Sequence, residues 1–369
     1  MIPYGKQTIE KDDVSTVGTA LTDEYLTTGP RVREFEQKIC EYVNSKFCVA
    51  VNSGTSALDI AVASLGLPPG SEIITTPFTF AASANCILYN NCKPVFADIN
   101  PQTYNIDPED VRKRITSKTK AIICVDYAGQ PCDLDELKEI AEKHNLYLIE
   151  DAAHSLGAEY KGKKIGGIAD ITAFSFHPVK IITTGEGGAV TTNDEKLYQK
   201  MKLLRNHGID KTPSERADYR YDMKILGRNY RITDFQCALG ISQIMKIDRF
   251  IERRTEIANK YTKMLDGIQG IKTPYIKKNV RHAWHLYTIL VKSIERDRFF
   301  GEMRNRGIGV NVHYIPVYKF TYYKQVFGGI RLPNVEEISS KIISLPIYPT
   351  LKDEELEKVV GSIKEIIGG

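Results

Sequence analysis

No apolar stretch in this 369-residue chain approaches the roughly 20 residues that a membrane-spanning helix needs. The opening Met1-Ile2-Pro3-Tyr4-Gly5-Lys6 lacks the apolar centre of a secretory signal, so none is expected. A large excess of one sign of charge is missing as well. A net charge of +4 is small for the length and gives no case for a nucleic-acid or membrane partner. The seven cysteines are odd in number and form no Cys-x-x-Cys pair. That argues against a disulfide framework or a zinc site and points to reduced residues in a cytoplasmic protein. His282 and His285 flank the single tryptophan, Trp284, but no further ligand joins them and no metal is expected. A Gly-x-Gly-x-x-Gly fingerprint between strand and helix is also missing, which disfavours a nicotinamide dehydrogenase, and no P-loop pattern occurs.

What is present is ordinary in bulk and specific in detail. Hydrophobic residues at 42% and charged residues at 26% suit a globular protein large enough for about two domains. The distinctive stretch is Phe174-Ser175-Phe176-His177-Pro178-Val179-Lys180, which runs on to Thr184-Gly185-Glu186-Gly187-Gly188. Here a short apolar strand ends, a proline breaks the run, and one lysine sits on a constrained turn among apolar neighbours. Such a lysine loses its proton more readily than a free one, as a Schiff-base lysine must. Alone, Lys180 also reads as a surface lysine in a turn.

Upstream, Gly29-Pro30 opens a helix with Val32, Phe35, Ile39, Tyr42 and Val43 on one face. Phe47 to Val51 reads as a strand, Asn52-Ser53-Gly54-Thr55-Ser56 as a turn, and Leu58, Ala61, Val62 and Leu65 as a helix face. The free N–H groups at that helix start make a phosphate cradle, although a Ser/Thr/Gly turn is also a plain cap. Strands are expected at Glu72 to Phe80, Pro94 to Ile99, Thr119 to Asp126, Leu146 to Ile149, Ile171 to Phe176 and Ala189 to Thr192. A helix capped at Asp133 lies among them. This alternation predicts an α/β fold with a mostly parallel central sheet and ligands at the strands' carboxyl ends, where Asp151 and Lys180 both fall. From Thr233 a capping box starts one long helix to about Leu265. It leads into a smaller α+β domain with strands at His285 to Val291 and Ile308 to His313, and helices at Arg296 to Arg306 and Lys352 to Ile367. The division expected is a large domain, 1–245, and a small C-terminal one, 246–369.

Gly54-Thr55-Ser56 at a helix start, Asp151 after a strand and Lys180 on a turn ask for one explanation. Pyridoxal 5′-phosphate needs such groups: a helix N-terminus with hydroxyls for its phosphate, a buried carboxylate for its pyridine nitrogen, and a lysine for its aldehyde. The charge-assisted bond from Asp151 would contribute roughly 1.5–3 kcal/mol. Phe80 is the candidate aromatic on the ring's other face. Asp151 alone also reads as a helix cap or a ribose-binding acid.

Several separated motifs then resemble one family. Besides the lysine stretch, they are Glu150-Asp151-Ala152-Ala153-His154-Ser155, Leu26-Thr27-Thr28-Gly29-Pro30, Arg205-Asn206-His207-Gly208, Gly227-Arg228-Asn229-Tyr230-Arg231 and Val312-His313-Tyr314-Ile315-Pro316. In this order, and over nearly the whole chain, they are similar to the DegT/DnrJ/EryC1/StrS aminotransferases, which act on nucleotide-linked keto-sugars. The resemblance implies fold type I of the pyridoxal-phosphate transferases. Lys180 would bind the cofactor covalently and move the proton between Cα and the cofactor's C4′. Asp151 would pair with the pyridine nitrogen, and His154 would lie near the ring's O3′. Thr55, Ser56 and Ser175 would hold the phosphate, with Gly54 allowing close approach. The resemblance also implies a homodimer with a shared site, Asn229 reaching the phosphate of the partner subunit's cofactor. A loop before a helix cap is the plainer role for Asn229.

Lysine at 180, where related sugar dehydratases carry histidine, implies a true aminotransferase with ping-pong kinetics and glutamate as donor. The ending His313-Tyr314-Ile315-Pro316-Val317-Tyr318 resembles the transaminases of pseudaminic acid biosynthesis, which aminate C4 of UDP-4-keto-6-deoxy-N-acetyl-altrosamine. Tyr4, Glu24, Tyr25, Leu26, Thr27, His313, Tyr314, Ile315 and Pro316 would then contact the nucleotide sugar. The tyrosines from Tyr314 to Tyr323, with Phe327, fit either stacking on substrate or ordinary core packing. Alternatives are another 4-amino-sugar synthase, such as one making GDP-perosamine, and a non-catalytic sugar-nucleotide-binding regulator.

Overall fold

Residues 1–211 and 217–368 are described by the computed structural model, numbered below in chain order. Its centre is a seven-stranded sheet of β1 (Phe47–Val51), β2 (Glu72–Thr75), β3 (Lys93–Phe96), β4 (Thr119–Val125), β5 (Tyr147–Asp151), β8 (Ile171–Ser175) and β9 (Gly188–Thr192). The spatial order is β1-β9-β8-β5-β4-β2-β3. Only β9 runs against its neighbours; the other pairs are parallel. The mostly parallel sheet expected from the βα alternation is what forms.

Alternate residues of each strand feed two different cores, because side chains on a strand point to opposite faces in turn. From β1, Cys48 and Ala50 join α2 (Pro30–Val43), α6 (Leu134–His144) and α8 (Asp234–Ile244), while Val49 and Val51 join α3 (Gly54–Leu65), α4 (Ala82–Tyr89) and α7 (Glu195–Arg205). Both faces are covered, so the strands read as near-continuous apolar runs. Outside these layers, α1 (Lys11–Ala20) packs on α8 and α5 (Pro108–Arg114) on α6, and β6 (Glu159–Tyr160), β7 (Lys163–Lys164) and β11 (Val280–Arg281) form a small separate sheet. At the N-terminus of α2, Gly29 has no side chain to cap with. Asp234 of α8 accepts from Gly29 N (2.8 Å) and Arg31 N (3.0 Å) instead, locking the two helices together.

A further antiparallel sheet, β10 (Ile271–Lys272), β12 (Tyr287–Val291) and β13 (Ile342–Leu345), packs with α9 (Ile247–Leu265), α10 (Arg296–Asn305) and α13 (Asp353–Gly368) around its own core. An aromatic cluster joins α11 (Thr321–Phe327) and α12 (Pro333–Lys341) to the central sheet through Phe78, Phe96 and Tyr127. Tyr318 and Tyr323 belong to that cluster. Their hydroxyls are satisfied by Glu336 (2.7 Å) and Asn85 (2.7 Å), so these two serve the core. Tyr322 is exposed.

Several boundaries depart from the expectation. The strand expected to reach Phe80 stops at Thr75, because Phe78 N turns back to Thr76 Oγ1 (3.1 Å) and Pro77 donates no ladder bond. The strand after it ends at Phe96, with Ile99 left in a single bridge to Ile106. Asp151 is the last residue of β5 and does not lie beyond it. Asp133 stands at the start of α6 without capping it, its carboxylate being taken by Lys277. The capping box at Thr233 forms, but the single long helix is two. The break falls at Lys246, whose ammonium is drawn to Asp12 (2.8 Å) and Asp13 (2.7 Å) of α1. Ile308 to His313 is no strand; only Ile2↔Ile308 and Asn311↔Ser344 bridge there, and the partner of β12 is β13.

Packing at α8 leaves one sharp test. A Cβ added at Gly240 would lie 2.5 Å from the ring of Phe35, which is fully buried with its edge toward Phe176. Overpacking of this kind costs about 1–3 kcal/mol, against about 1 kcal/mol that alanine gains over glycine in a helix. Gly240→Ala is therefore expected to lower the urea midpoint of unfolding, and a higher midpoint would show that the ring yields.

Candidate active site

A cavity of about 990 Å³ opens at the carboxyl ends of β4, β5 and β8, with the N-terminus of α3 as one wall. Its position is the one that open α/β sheets offer to ligands. Ser53 caps α3 by accepting from Ser56 N (3.1 Å), and the Ser56 hydroxyl donates to Asn52 Oδ1 (2.6 Å). A Cβ at Gly54 would meet Ser175 Cβ at 2.7 Å, so only glycine lets α3 come this close to the end of β8. The result is a cup at the N-terminus of α3, where Ser53, Gly54, Thr55, Ser56 and Ser175 line the cavity.

Asp151 is buried, and burial pushes its carboxyl up. Ser83 Oγ (2.6 Å), Ala153 N (3.1 Å) and the nearby Lys180 pull it back. Lys180 sits half-buried in the wall, its N–H bonded to His177 O (2.9 Å) in the turn after β8. Desolvation brings its ammonium down to about 8, although the Asp151 charge works the other way. An amine so placed is partly neutral near pH 7 and can act as a nucleophile.

Three histidines complete the wall. Burial, with Lys180 and His313 nearby, holds His154 well below the usual imidazole range, so it is neutral. Its Nε2 pairs with the Tyr314 hydroxyl at 2.9 Å, while Nδ1 is buried without a partner. The ring of His285 lies 4.3 Å from that of His154, and its Nδ1 is orphaned too. His313 is bound through Nδ1 to Ser344 Oγ (2.7 Å), and burial lowers it to about 3. The helix-terminus cup, the acid and the amine together fit a flat, phosphorylated aldehyde with a basic ring nitrogen.

Of the residues singled out from the sequence, Gly54, Thr55, Ser56, Phe80, Asp151, His154, Ser175, Lys180, Tyr4, His313, Tyr314 and Ile315 line this one cavity. Glu24, Tyr25, Leu26 and Thr27 do not. They form an exposed loop held against the start of α8 through Asp234 N to Leu26 O (3.0 Å) and the Thr27↔Thr233 bridge. Pro316 is turned inward behind Ile315, and Asn229 is exposed outside the cavity. Ser83, His285, Asn311, Gln236 and Phe320 line it without having been foreseen. Ser83 carried a signal, a hydroxyl three residues beyond Phe80 near the start of a mostly apolar helix. His285 had been weighed only as a metal ligand. Among the described residues no cluster of three or more His, Cys, Asp or Glu could hold a metal ion.

Residues 7–364 match the DegT/DnrJ/EryC1/StrS aminotransferase family, and the chain belongs to it. It is 42% identical to a UDP-4-amino-4,6-dideoxy-N-acetyl-beta-L-altrosamine transaminase of Campylobacter jejuni over 366 residues, 97% of this chain and 96% of that one. It is 38% identical to the spore coat polysaccharide biosynthesis protein SpsC of Bacillus subtilis, covering 100% and 97%. Among solved structures it superposes on Helicobacter pylori PseC, an aminotransferase of pseudaminic acid biosynthesis, with a TM-score of 0.94 and 35% identity over 100% and 99% of the two chains. Spr1654 of Streptococcus pneumoniae in its PLP form matches with a TM-score of 0.94 at 30% identity, covering 100% and 98%. The protein is thus a sugar aminotransferase that depends on pyridoxal phosphate.

The Ser83 hydroxyl is the one side-chain donor to Asp151 among the described residues. Ser83→Ala is expected to push the Asp151 carboxyl further up, because desolvation is then less opposed. Carbon-13 titration of the carboxyl in the cofactor-free protein reads this; an unmoved titration would mean that Ser83 contributes nothing.

Proposed function

We propose that this enzyme moves an amino group from L-glutamate to C4 of a UDP-linked 4-keto-6-deoxy sugar, UDP-4-keto-6-deoxy-N-acetyl-altrosamine, in a pathway to pseudaminic acid. The observation that carries the reading is Lys180 and Asp151 facing one cavity with the N-terminus of α3. The sugar is supported by the 42% identity to the altrosamine transaminase and by the His313-Tyr314-Ile315-Pro316 segment at the cavity wall. SpsC, similar over the full chain, keeps open a second reading in which another nucleotide-linked 4-keto sugar is the acceptor.

Pyridoxal phosphate, when bound, supplies an aldehyde that takes up the amino group and a ring that accepts electrons from the neighbouring carbon. The chain supplies the rest. Lys180 would hold the aldehyde covalently and would move a proton between Cα and the cofactor's C4′. Asp151 holds a proton on the ring nitrogen. Gly54, Thr55, Ser56 and Ser175 would bind the phosphate, and His154 would lie near the ring oxygen. Phe80, 63% exposed at the cavity mouth in this single chain, covers one face of the ring. Tyr4, His313, Tyr314 and Ile315 orient the sugar. Glu24, Tyr25, Leu26, Thr27 and Pro316 would contact the nucleotide sugar, and in a homodimer Asn229 would reach the partner subunit's cofactor phosphate. Division of the chain into 1–245 and 246–369 belongs to the same reading and is supported by the break between α8 and α9. Seven free cysteines, six of them buried, suit a reducing cytoplasm.

Purified enzyme loaded by glutamate should return to its starting visible spectrum with UDP-4-keto-6-deoxy-N-acetyl-altrosamine and give the 4-amino product by mass spectrometry. Recovery only with a GDP-linked keto sugar would overturn the substrate assignment. Lys180→Ala should lose all turnover with an unchanged circular dichroism spectrum, and retained activity would refute the role of Lys180. Lys180 attacks as the free amine. Capture of pyridoxal phosphate by the cofactor-free protein should therefore quicken about tenfold per pH unit below pH about 8 and level off above it. A rise continuing to pH 10 would contradict the desolvated lysine.

A further inference from the structure

Asp59 lies in the second turn of α3, five residues beyond Gly54, and is 1% exposed. Its Oδ2 accepts from Arg228 Nε (3.0 Å) and from Tyr230 Oη (2.9 Å), and its Oδ1 from Asn90 Nδ2 (2.8 Å). Three donors, one of them charged, make burial of this carboxylate tolerable, and removing the acid would strand them. The two donors from the later segment sit on either side of Asn229.

In an extended chain, residues i−1 and i+1 point to the same side and residue i to the other. Asp59 therefore grips Arg228 and Tyr230 from one side, while Asn229 is exposed, its side chain without a hydrogen-bond partner among the described residues. The backbone is fixed as well. Arg228 N donates to Leu204 O (2.7 Å), Asn229 bridges Asn206, and Asn52 N, in the turn before α3, donates to Tyr230 O (3.0 Å). One buried acid thus ties the helix whose N-terminus lines this chain's own cavity to the segment that presents Asn229 outward.

We infer that Asp59 is a positioning residue: through Arg228 and Tyr230 it sets Asn229 for the partner subunit's site and couples that segment to the phosphate cup of its own chain. The inference rests on the reading that Asn229 serves the partner's cofactor. The experiment separates the two.

Differently tagged chains allow purification of a heterodimer in which the first chain carries Lys180→Ala and the second is native. Its one working site uses the second chain's Lys180 and, on this reading, the first chain's Asn229. Two readouts are taken: sugar amination, and the apparent Kd for pyridoxal phosphate from the absorbance of the lysine-bound form. Asn229→Ala on the first chain should weaken both. If it does not, the shared site itself is wrong, and the inference falls with it. Asp59→Asn on the first chain should then weaken both by about tenfold, the scale on which a displaced binding group acts. The same change on the second chain should have a smaller effect. If Asn229→Ala acts across the dimer but Asp59→Asn on the first chain does not, Asp59 has only a local role and the inference is overturned. Equal effects from either chain would also overturn it, since general destabilisation predicts no such direction. Tyr230→Phe removes one donor and leaves the acid in place, so it supplies the same directional comparison should Asp59→Asn fail to fold.

Discussion

A half-buried lysine and a buried aspartate facing one cavity set the terms for the rest of the structure. Burial penalises both charges, lowering the amine to about 8 and raising the acid. Each is then rescued only by what the fold places beside it. Asp151 receives Ser83 Oγ and Ala153 N, and the two charges partly offset one another. That arrangement needs β5 and β8 to be parallel neighbours, with β8 running two residues past the end of β5. Asp151 pairs with Ala173, two residues before the end of β8, so the turn bearing Lys180 comes up beside the acid.

Both layers of the molecule are needed to finish the wall. The central sheet contributes the acid, the amine and the cup at α3, whereas His285, His313 and Tyr314 come from the later part of the chain. Tyr127 Oη donates to His313 O, and Gly309 N donates to Ile2 O (2.6 Å), so the 308–316 segment is tied to both ends of the fold. Neutral histidines suit such a place. A charged imidazole next to Lys180 would be repelled, and burial keeps His154, His285 and His313 uncharged.

Much of this was legible in the sequence because local chemistry and global fold agree. The β1-turn-α3 unit, the acid at the end of β5 and the lysine after β8 each carry a pattern readable within a dozen residues. What stayed hidden depends on partners far along the chain. Helix α8 stops at Lys246 because Asp12 and Asp13 lie more than 230 positions earlier. Ile308 to His313 looks like a strand, yet β13 takes its place beside β12, and no periodicity reveals which segment wins. His285 escaped notice because a lone histidine beside a tryptophan has no local signature; only its contact with the His154 ring, 4.3 Å away, reveals it. The loop from Glu24 to Thr27 and Asn229 are exposed outside the cavity, and nothing packed against them in this chain marks a role.

The most direct test is to reduce the pyridoxal-phosphate-loaded protein with borohydride, digest it and map the modified peptide by mass spectrometry. The geometry predicts a single stable adduct on Lys180, with none formed if glutamate is added before reduction. An adduct on another lysine, or no adduct from a protein that has bound the cofactor, would contradict the placement of the chemistry in this cavity.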